Sequence, residues 1–218
     1  MYNIYMEVRI IGGNYPNFAV QFKNKNIRPS LSRTRICIFD TIKTRVQEKY
    51  TLLDCFAGSG VIGLEALSRG CLSATFFDKE SEIIKQIQNN LDKMPNITGI
   101  SNLLVCNTLF PPKGKPMDII FLDPPYSQII FLHKYIKKLY NQNWINENTL
   151  IIIESYYKYK IPYEHFKHNI IGSSQLHFLY FYPEMLDLKV IVSKSHKLKQ
   201  KLLSNPNIRN EDFLYYDY

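Results

Sequence analysis

The 218-residue sequence has no apolar run approaching the length of a membrane-spanning helix, which argues against an integral membrane protein. Its N-terminus, MYNIYMEVRIIGG, has no charged stretch leading into an apolar one, so no secretory signal is expected. Cysteine is scarce. The four present, Cys37, Cys55, Cys71 and Cys106, are widely spaced with no CxxC pair. That pattern disfavours a disulfide framework and a thiolate metal site, and reads as small apolar residues of a reduced, cytoplasmic protein. No internal repeat, long low-complexity segment or coiled-coil signature occurs, so a monomer is expected. His165 and His168 are three residues apart, but no third ligand lies near them in the sequence, so no zinc site is expected.

Acidic residues are also in deficit: 19 Asp and Glu face 27 Lys and Arg, a net charge of +8. The excess is uneven, with nine basic and three acidic residues in positions 1–50, a net of +6. A basic N-terminal face suits a polyanionic partner. Hydrophobic residues make up 45% of the chain, enough for a substantial core.

Alternating strand and helix patterns fill the middle of the sequence. TLLDCFA (51–57), ATFFD (74–78), NLLVC (102–106), MDIIFLD (117–123) and TLIIIES (149–155) read as strands. Helices are expected over Val61 to Ser68, Ser81 to Leu91 and Gln128 to Tyr140, and HNIIGS and QLHFLYF read as a closing hairpin. The alternation predicts an α/β fold, a mostly parallel sheet covered on both faces. Ahead of it, EVRIIGG and FAVQF read as a hairpin. RPSLSRTRICIFDTIKTRVQ reads as a helix capped by Ser30 or Ser32, with Phe39, Ile42 and Val46 on its apolar stripe. The expected organisation is an N-terminal extension (1–48), a main domain (49–183) and an appendage (184–218) holding a short basic helix in SHKLKQKLLS.

Two motifs carry chemistry. DCFAGSGVIGLEALSRG follows the first main strand, and its Gly58, Gly60 and Gly63 satisfy GxGxxG directly before a helix. Asp78 lies 20 residues beyond Gly58 at a strand end, where an acid can bind a ribose diol. The glycines alone would permit NAD, FAD or S-adenosylmethionine. Asp54 beside the turn favours the last, since a carboxylate attracts a cationic ligand and repels a pyrophosphate. The second motif is Asp123-Pro124-Pro125-Tyr126, at the end of an apolar strand. Two prolines remove two N–H donors and leave a stiff corner of acceptors. In a doubly wound sheet the two motifs flank one crevice. Asp123 and the Pro124 carbonyl can accept the hydrogens of an exocyclic amine, and Tyr126 can stack on a flipped-out base.

RIIGG (9–13), RPSLSRTR (28–35), DCFAGSGVIGLEALSRG (54–70) and IFLDPPY (120–126) together resemble the bacterial 16S rRNA guanine-N2 methyltransferase family over roughly residues 6 to 182. The resemblance implies a Rossmann-like methyltransferase sheet with an antiparallel last strand, and methyl transfer from S-adenosylmethionine to one guanine N2 of small-subunit rRNA, free or in an assembling subunit. It implies that Asp54, Phe56, Gly58 and Gly60 form the cofactor loop. It implies that Asp78 takes the ribose, that Asn107 and Thr108 face the adenine, and that Asp123 to Tyr126 form the catalytic corner. Arg9, Arg28, Arg33 and Arg35 are the candidate RNA contacts. On a helix Arg33 and Arg35 point about 200° apart, so both cannot face one groove. Three other readings stay open: a DNA adenine-N6 methyltransferase, an NAD-binding oxidoreductase, and a non-catalytic RNA-binding assembly factor.

Overall fold

The central strands are continuous apolar runs because both of their faces are covered. In the computed structural model, β3 (Thr51–Asp54), β4 (Ser73–Asp78), β5 (Ile100–Val105), β6 (Ile119–Leu122) and β7 (Leu150–Tyr156) are parallel neighbours. With β8 (Lys167–Ile171) and β9 (Ser174–Tyr180) they form a seven-stranded sheet, ordered β5-β4-β3-β6-β7-β9-β8. β9 runs antiparallel to β7, and β8 is its hairpin mate at the edge. The structure describes residues 5–23, 30–46 and 49–186, together with the backbone of 190–193 and 213–216. Among these residues, no helix is long and apolar enough to cross a membrane.

Side-chain alternation divides the core in two. Leu52, Phe76, Ile119, Phe121 and Ile152 face one cluster, packed against α1 (Ser32–Arg45), α2 (Val61–Ser68) and α3 (Ser81–Leu91). Leu53, Phe77, Ile120, Leu122, Ile151 and Ile153 face the other, against α4 (Leu132–Asn141) and Trp144. β1 (Met6–Arg9) and β2 (Ala19–Phe22) pair as the expected hairpin, and Ile10 and Val20 share the first cluster with the sheet.

The hairpin and α2 are fastened together by two of the sequence motifs. Ser68 Oγ donates to the carbonyl of Gly12 at 2.7 Å, while the Asn14 amide donates to the Ser68 carbonyl at 2.7 Å and the Tyr15 amide to Ser68 Oγ at 3.0 Å. Gly13 has a φ of +85°, and a Cβ there would stand 2.0 Å from the Ser68 carbonyl oxygen. Only glycine fits. Beneath this contact, Arg35 and Glu65 are fully buried and paired at 3.0 Å, and Arg69 joins Glu65 at 2.8 Å. Arg35 also donates to the carbonyl of Arg9 at 2.7 Å and to that of Ser30. RIIGG, the α1 arginine and ALSRG are thus parts of one fastening.

Three local expectations are corrected. The helix expected from Gln128 begins instead as a 3₁₀ turn over Tyr126–Phe131, and α4 starts at Leu132. The two prolines hold the backbone extended (Pro125 φ −48°, ψ 141°), and the Gln128 amide closes a tight turn onto the Pro125 carbonyl at 2.6 Å. α1 has Leu31 at its N-cap and no side-chain cap bond, so neither Ser30 nor Ser32 caps it. In the appendage, 190–193 and 213–216 pair as parallel strands β10 and β11, which the sequence did not suggest. The basic segment 195–204 lies outside the described residues.

Candidate active site

The carboxyl ends of β3, β4, β5, β6 and β7 converge on one edge of the sheet. Asp54 is the last residue of β3 and Asp78 the last of β4, while Asp123 follows β6 and Tyr156 ends β7. Register fixes their spacing. Asp54 pairs with Phe76 on one side and Phe121 on the other, so Asp78 and Asp123 each lie two residues beyond its partners.

The glycine loop is held from three directions. The Cys55 amide donates to the Phe121 carbonyl at 3.0 Å and the Ala57 amide to the Phe77 carbonyl at 2.9 Å. The Gly58 amide donates to Asp78 Oδ2 at 3.1 Å, and Thr108 Oγ1 donates to the Cys55 carbonyl at 2.7 Å. Gly60 takes a φ of +75° as α2 begins, and a Cβ on Gly63 would stand 2.2 Å from the Phe76 ring. The first arrangement turns the chain and the second lets α2 lie close on β4, which is the division of labour the GxGxxG spacing implies. Phe56 is half-buried, with its ring edge-on to Tyr135 at 5.0 Å between centroids.

Asp54 is buried, and its Oδ1 has no hydrogen-bond partner. Burial pushes its carboxyl up to about 7, the nearby Asp78 charge adds to the shift, and the amides of Phe56 and Gly63 oppose it. A buried acceptor of this kind suits a cationic ligand, which would favour the ionised form. Asp78 uses both oxygens locally, accepting from Gly58 with one and from the Glu80 amide at 3.0 Å with the other. It fixes the loop and still stands half-buried at the crevice. These carboxylate acceptors fit the expected nucleoside cofactor with a positive centre.

In the ligand-free protein, stability depends on pH through Asp54. The Asp54 pKa is higher folded than unfolded, so its contribution to stability is full below about pH 4 and is lost as pH rises through 7. Between about pH 5 and 7, wild type loses roughly 1.4 kcal/mol per pH unit relative to Asp54→Asn in urea unfolding. Parallel pH profiles for the two proteins would contradict the assignment.

At the second motif, Asp123 is half-buried, Pro124 is buried, and Pro125 and Tyr126 are exposed. The Tyr126 ring meets Tyr156 at 5.5 Å between centroids. Asn107 is exposed and its Oδ1 accepts from the Leu109 amide at 3.0 Å. Thr108 is buried and bonded to Cys55, so its hydroxyl braces the glycine loop.

The arginine candidates divide. Arg9 is exposed and paired with Glu7 at 2.8 Å, and Arg33 is exposed on α1. Arg28 lies outside the described residues. Arg35 is a correction: its side chain is wholly buried on Glu65, so it cannot reach RNA, and its charge serves the core. Strand pairing brings a third histidine to His165 and His168. The β8–β9 register sets His177 opposite His168, and its ring lies 4.8 Å from that of His165. The His168 and His177 rings stack at 13°, and among the described residues no group of three His, Cys, Asp or Glu has an arrangement able to hold a metal ion. Sequence reading missed Glu65 as Arg35's partner, although an acid inside the apolar run VIGLEALS was a usable signal.

A family described as Conserved hypothetical protein 95 matches residues 8–180. The ribosomal RNA small subunit methyltransferase D of Buchnera aphidicola (subspecies Acyrthosiphon pisum) is 36% identical over 159 residues, covering 71% of this chain and 81% of the relative. The protein of the same name from Escherichia coli K12 is 31% identical over 159 residues, covering 72% and 78%. The solved structure of yhhF from Escherichia coli superposes with a TM-score of 0.68 at 27% identity, covering 79% of this chain and 97% of that one. The chain belongs to the conserved hypothetical protein 95 family and, with these relatives, to the small-subunit ribosomal RNA methyltransferases D.

Proposed function

We propose that this protein transfers a methyl group from S-adenosylmethionine to the exocyclic N2 amine of a guanine in small-subunit rRNA. The observation that carries the reading is the pairing of β3 with β6, which sets the glycine loop and Asp-Pro-Pro-Tyr side by side at one edge. The names of the relatives support methylation of small-subunit rRNA, and the guanine N2 target is the finer inference.

When bound, S-adenosylmethionine supplies an electrophilic methyl group on a positively charged sulfur. Asp54 and the glycine loop hold its cationic part, and Asp78 holds the ribose. A guanine amine is a poor nucleophile because its lone pair is delocalised into the ring. Asp123 and the Pro124 carbonyl accept its two hydrogens and fix the nitrogen's orientation, and Tyr126 stacks on the extruded base. Positioning supplies most of the acceleration, and the Asp123 charge stabilises the amine as it becomes positive. Asp123 need not be a strong base, because the methylated ammonium loses its proton readily.

Asp78→Ala removes the ribose acceptor and the partner of the Gly58 amide together. It is expected to weaken S-adenosylmethionine binding by roughly tenfold or more, the worth of a hydrogen bond to a charged group. Unchanged affinity in calorimetry would remove Asp78 from the site. The reaction is tested by transfer from labelled S-adenosylmethionine to undermethylated small subunits, with naked rRNA and duplex DNA alongside. Label on rRNA guanine supports the reading. Label confined to DNA adenine would replace it with the adenine-N6 reaction, which the same corner could serve.

A further inference from the structure

Beyond the catalytic corner, the chain leaving β7 carries a second aromatic surface. Tyr126 and Tyr157 are 45% and 41% exposed, and half-buried Tyr156 lies between them. The ring centroids are 5.5 Å apart for Tyr126–Tyr156 and 4.7 Å apart for Tyr156–Tyr157. The Lys158 ammonium stands 5.6 Å from the Tyr157 ring centroid, Lys160 follows two residues on, and no acid occurs from Ser155 to Tyr163.

The backbone under these rings is fixed. The Tyr157 amide donates to the Ser173 carbonyl at 3.1 Å, and the Tyr159 amide to the Tyr156 carbonyl at 2.9 Å. Gln175, buried in β9, donates to Ser155 Oγ at 3.0 Å, to the Tyr156 carbonyl at 3.1 Å and to the Tyr159 carbonyl. A loop held this way presents its aromatics with little ordering cost on binding. Exposed rings on a rigid backbone beside cations are the elements of a single-strand stacking platform.

We infer that Tyr156, Tyr157 and Lys158 form a second nucleotide subsite. It takes the base adjacent to the target guanine on Tyr157 and that nucleotide's phosphate beside Lys158. This rests on the proposed function, because Tyr126 marks where the target base lies. The substrate strand is then unpaired over at least the target and one neighbour.

The test uses binding, so that it reads out independently of turnover. The full chain is titrated by fluorescence anisotropy with labelled single-stranded RNA oligonucleotides carrying a central guanine. Two companion oligonucleotides carry an abasic residue immediately 5′ or immediately 3′ of that guanine. Wild type should bind one of the abasic oligonucleotides about tenfold or more weakly than the intact one. Tyr157→Ala should bind the intact oligonucleotide equally weakly and lose nothing further on that abasic one. Tyr157→Phe should retain wild-type affinity, and S-adenosylmethionine affinity should be unchanged in both variants, which reports an intact fold. Equal affinity of wild type and Tyr157→Ala, equal losses on intact and abasic RNA, or no binding of the intact oligonucleotide by wild type would each overturn the subsite. Methyl transfer to guanine with a failed binding cycle overturns the subsite alone. A binding cycle that holds without transfer supports the subsite and overturns the reaction.

Discussion

Asp123→Ala is expected to lower methyl transfer at least about a hundredfold while leaving S-adenosylmethionine affinity within about twofold of wild type. The asymmetry comes from where the carboxylate stands. Asp123 follows β6, whereas the glycine loop proposed to hold the cofactor leaves β3 and is held by Phe121, Phe77, Asp78 and Thr108. Removing Asp123 deletes none of those four bonds. In the proposed reaction it deletes an acceptor for the target amine and a carboxylate that would stabilise the nitrogen as it becomes positive. Pro124 stays in place, so the corner keeps its shape. Single-turnover transfer and calorimetric cofactor binding measured on the same preparation separate the two effects. Equal loss of both would mean that Asp123 belongs to the cofactor site.

The second large effect concerns stability. Arg35→Met should cost about 3–5 kcal/mol, because it leaves Glu65 buried with only part of its compensating charge. Arg69 remains on Glu65 Oε1, which places the cost toward the lower end of that range. The loss also frees the Arg9 and Ser30 carbonyls, so the hairpin should loosen from α1 and α2. Urea unfolding should show a lowered midpoint, and the double variant Arg35→Met/Glu65→Leu should recover much of the loss, since a buried pair replaced by apolar side chains is often near neutral. A cost below about 1 kcal/mol for the single variant would mean that the pair is not buried in solution.

The two arginines of RTR show how far sequence alone reaches. Helical geometry separated Arg33 from Arg35 by about 200° and required that they differ in role, but it could not say which one turned inward. That choice depends on Glu65, thirty residues away on another helix. The strands and helices of the sheet were legible because periodicity is local: α2 and α3 run from Val61 to Ser68 and from Ser81 to Leu91, as the apolar spacing indicates. The glycine loop and Asp78 were legible for the same reason, with the motif, strand end and helix start lying within one stretch of chain. The start of α4 was not, because two prolines impose a turn that the downstream apolar spacing does not encode. Nor were the contact of Tyr126 with Tyr156 or the meeting of His177 with His165 and His168. Each depends on strand register, which joins residues far apart in sequence.

In the proposed function one crevice, built by the glycine loop and Asp-Pro-Pro-Tyr together, methylates a guanine amine. The most direct test is nucleoside analysis by mass spectrometry of rRNA from small subunits incubated with the protein and isotopically labelled S-adenosylmethionine. Labelled N2-methylguanosine is expected at a single position, present with wild type and lost with Asp123→Ala. Label on adenine, or N2-methylguanosine undiminished in Asp123→Ala, would contradict it.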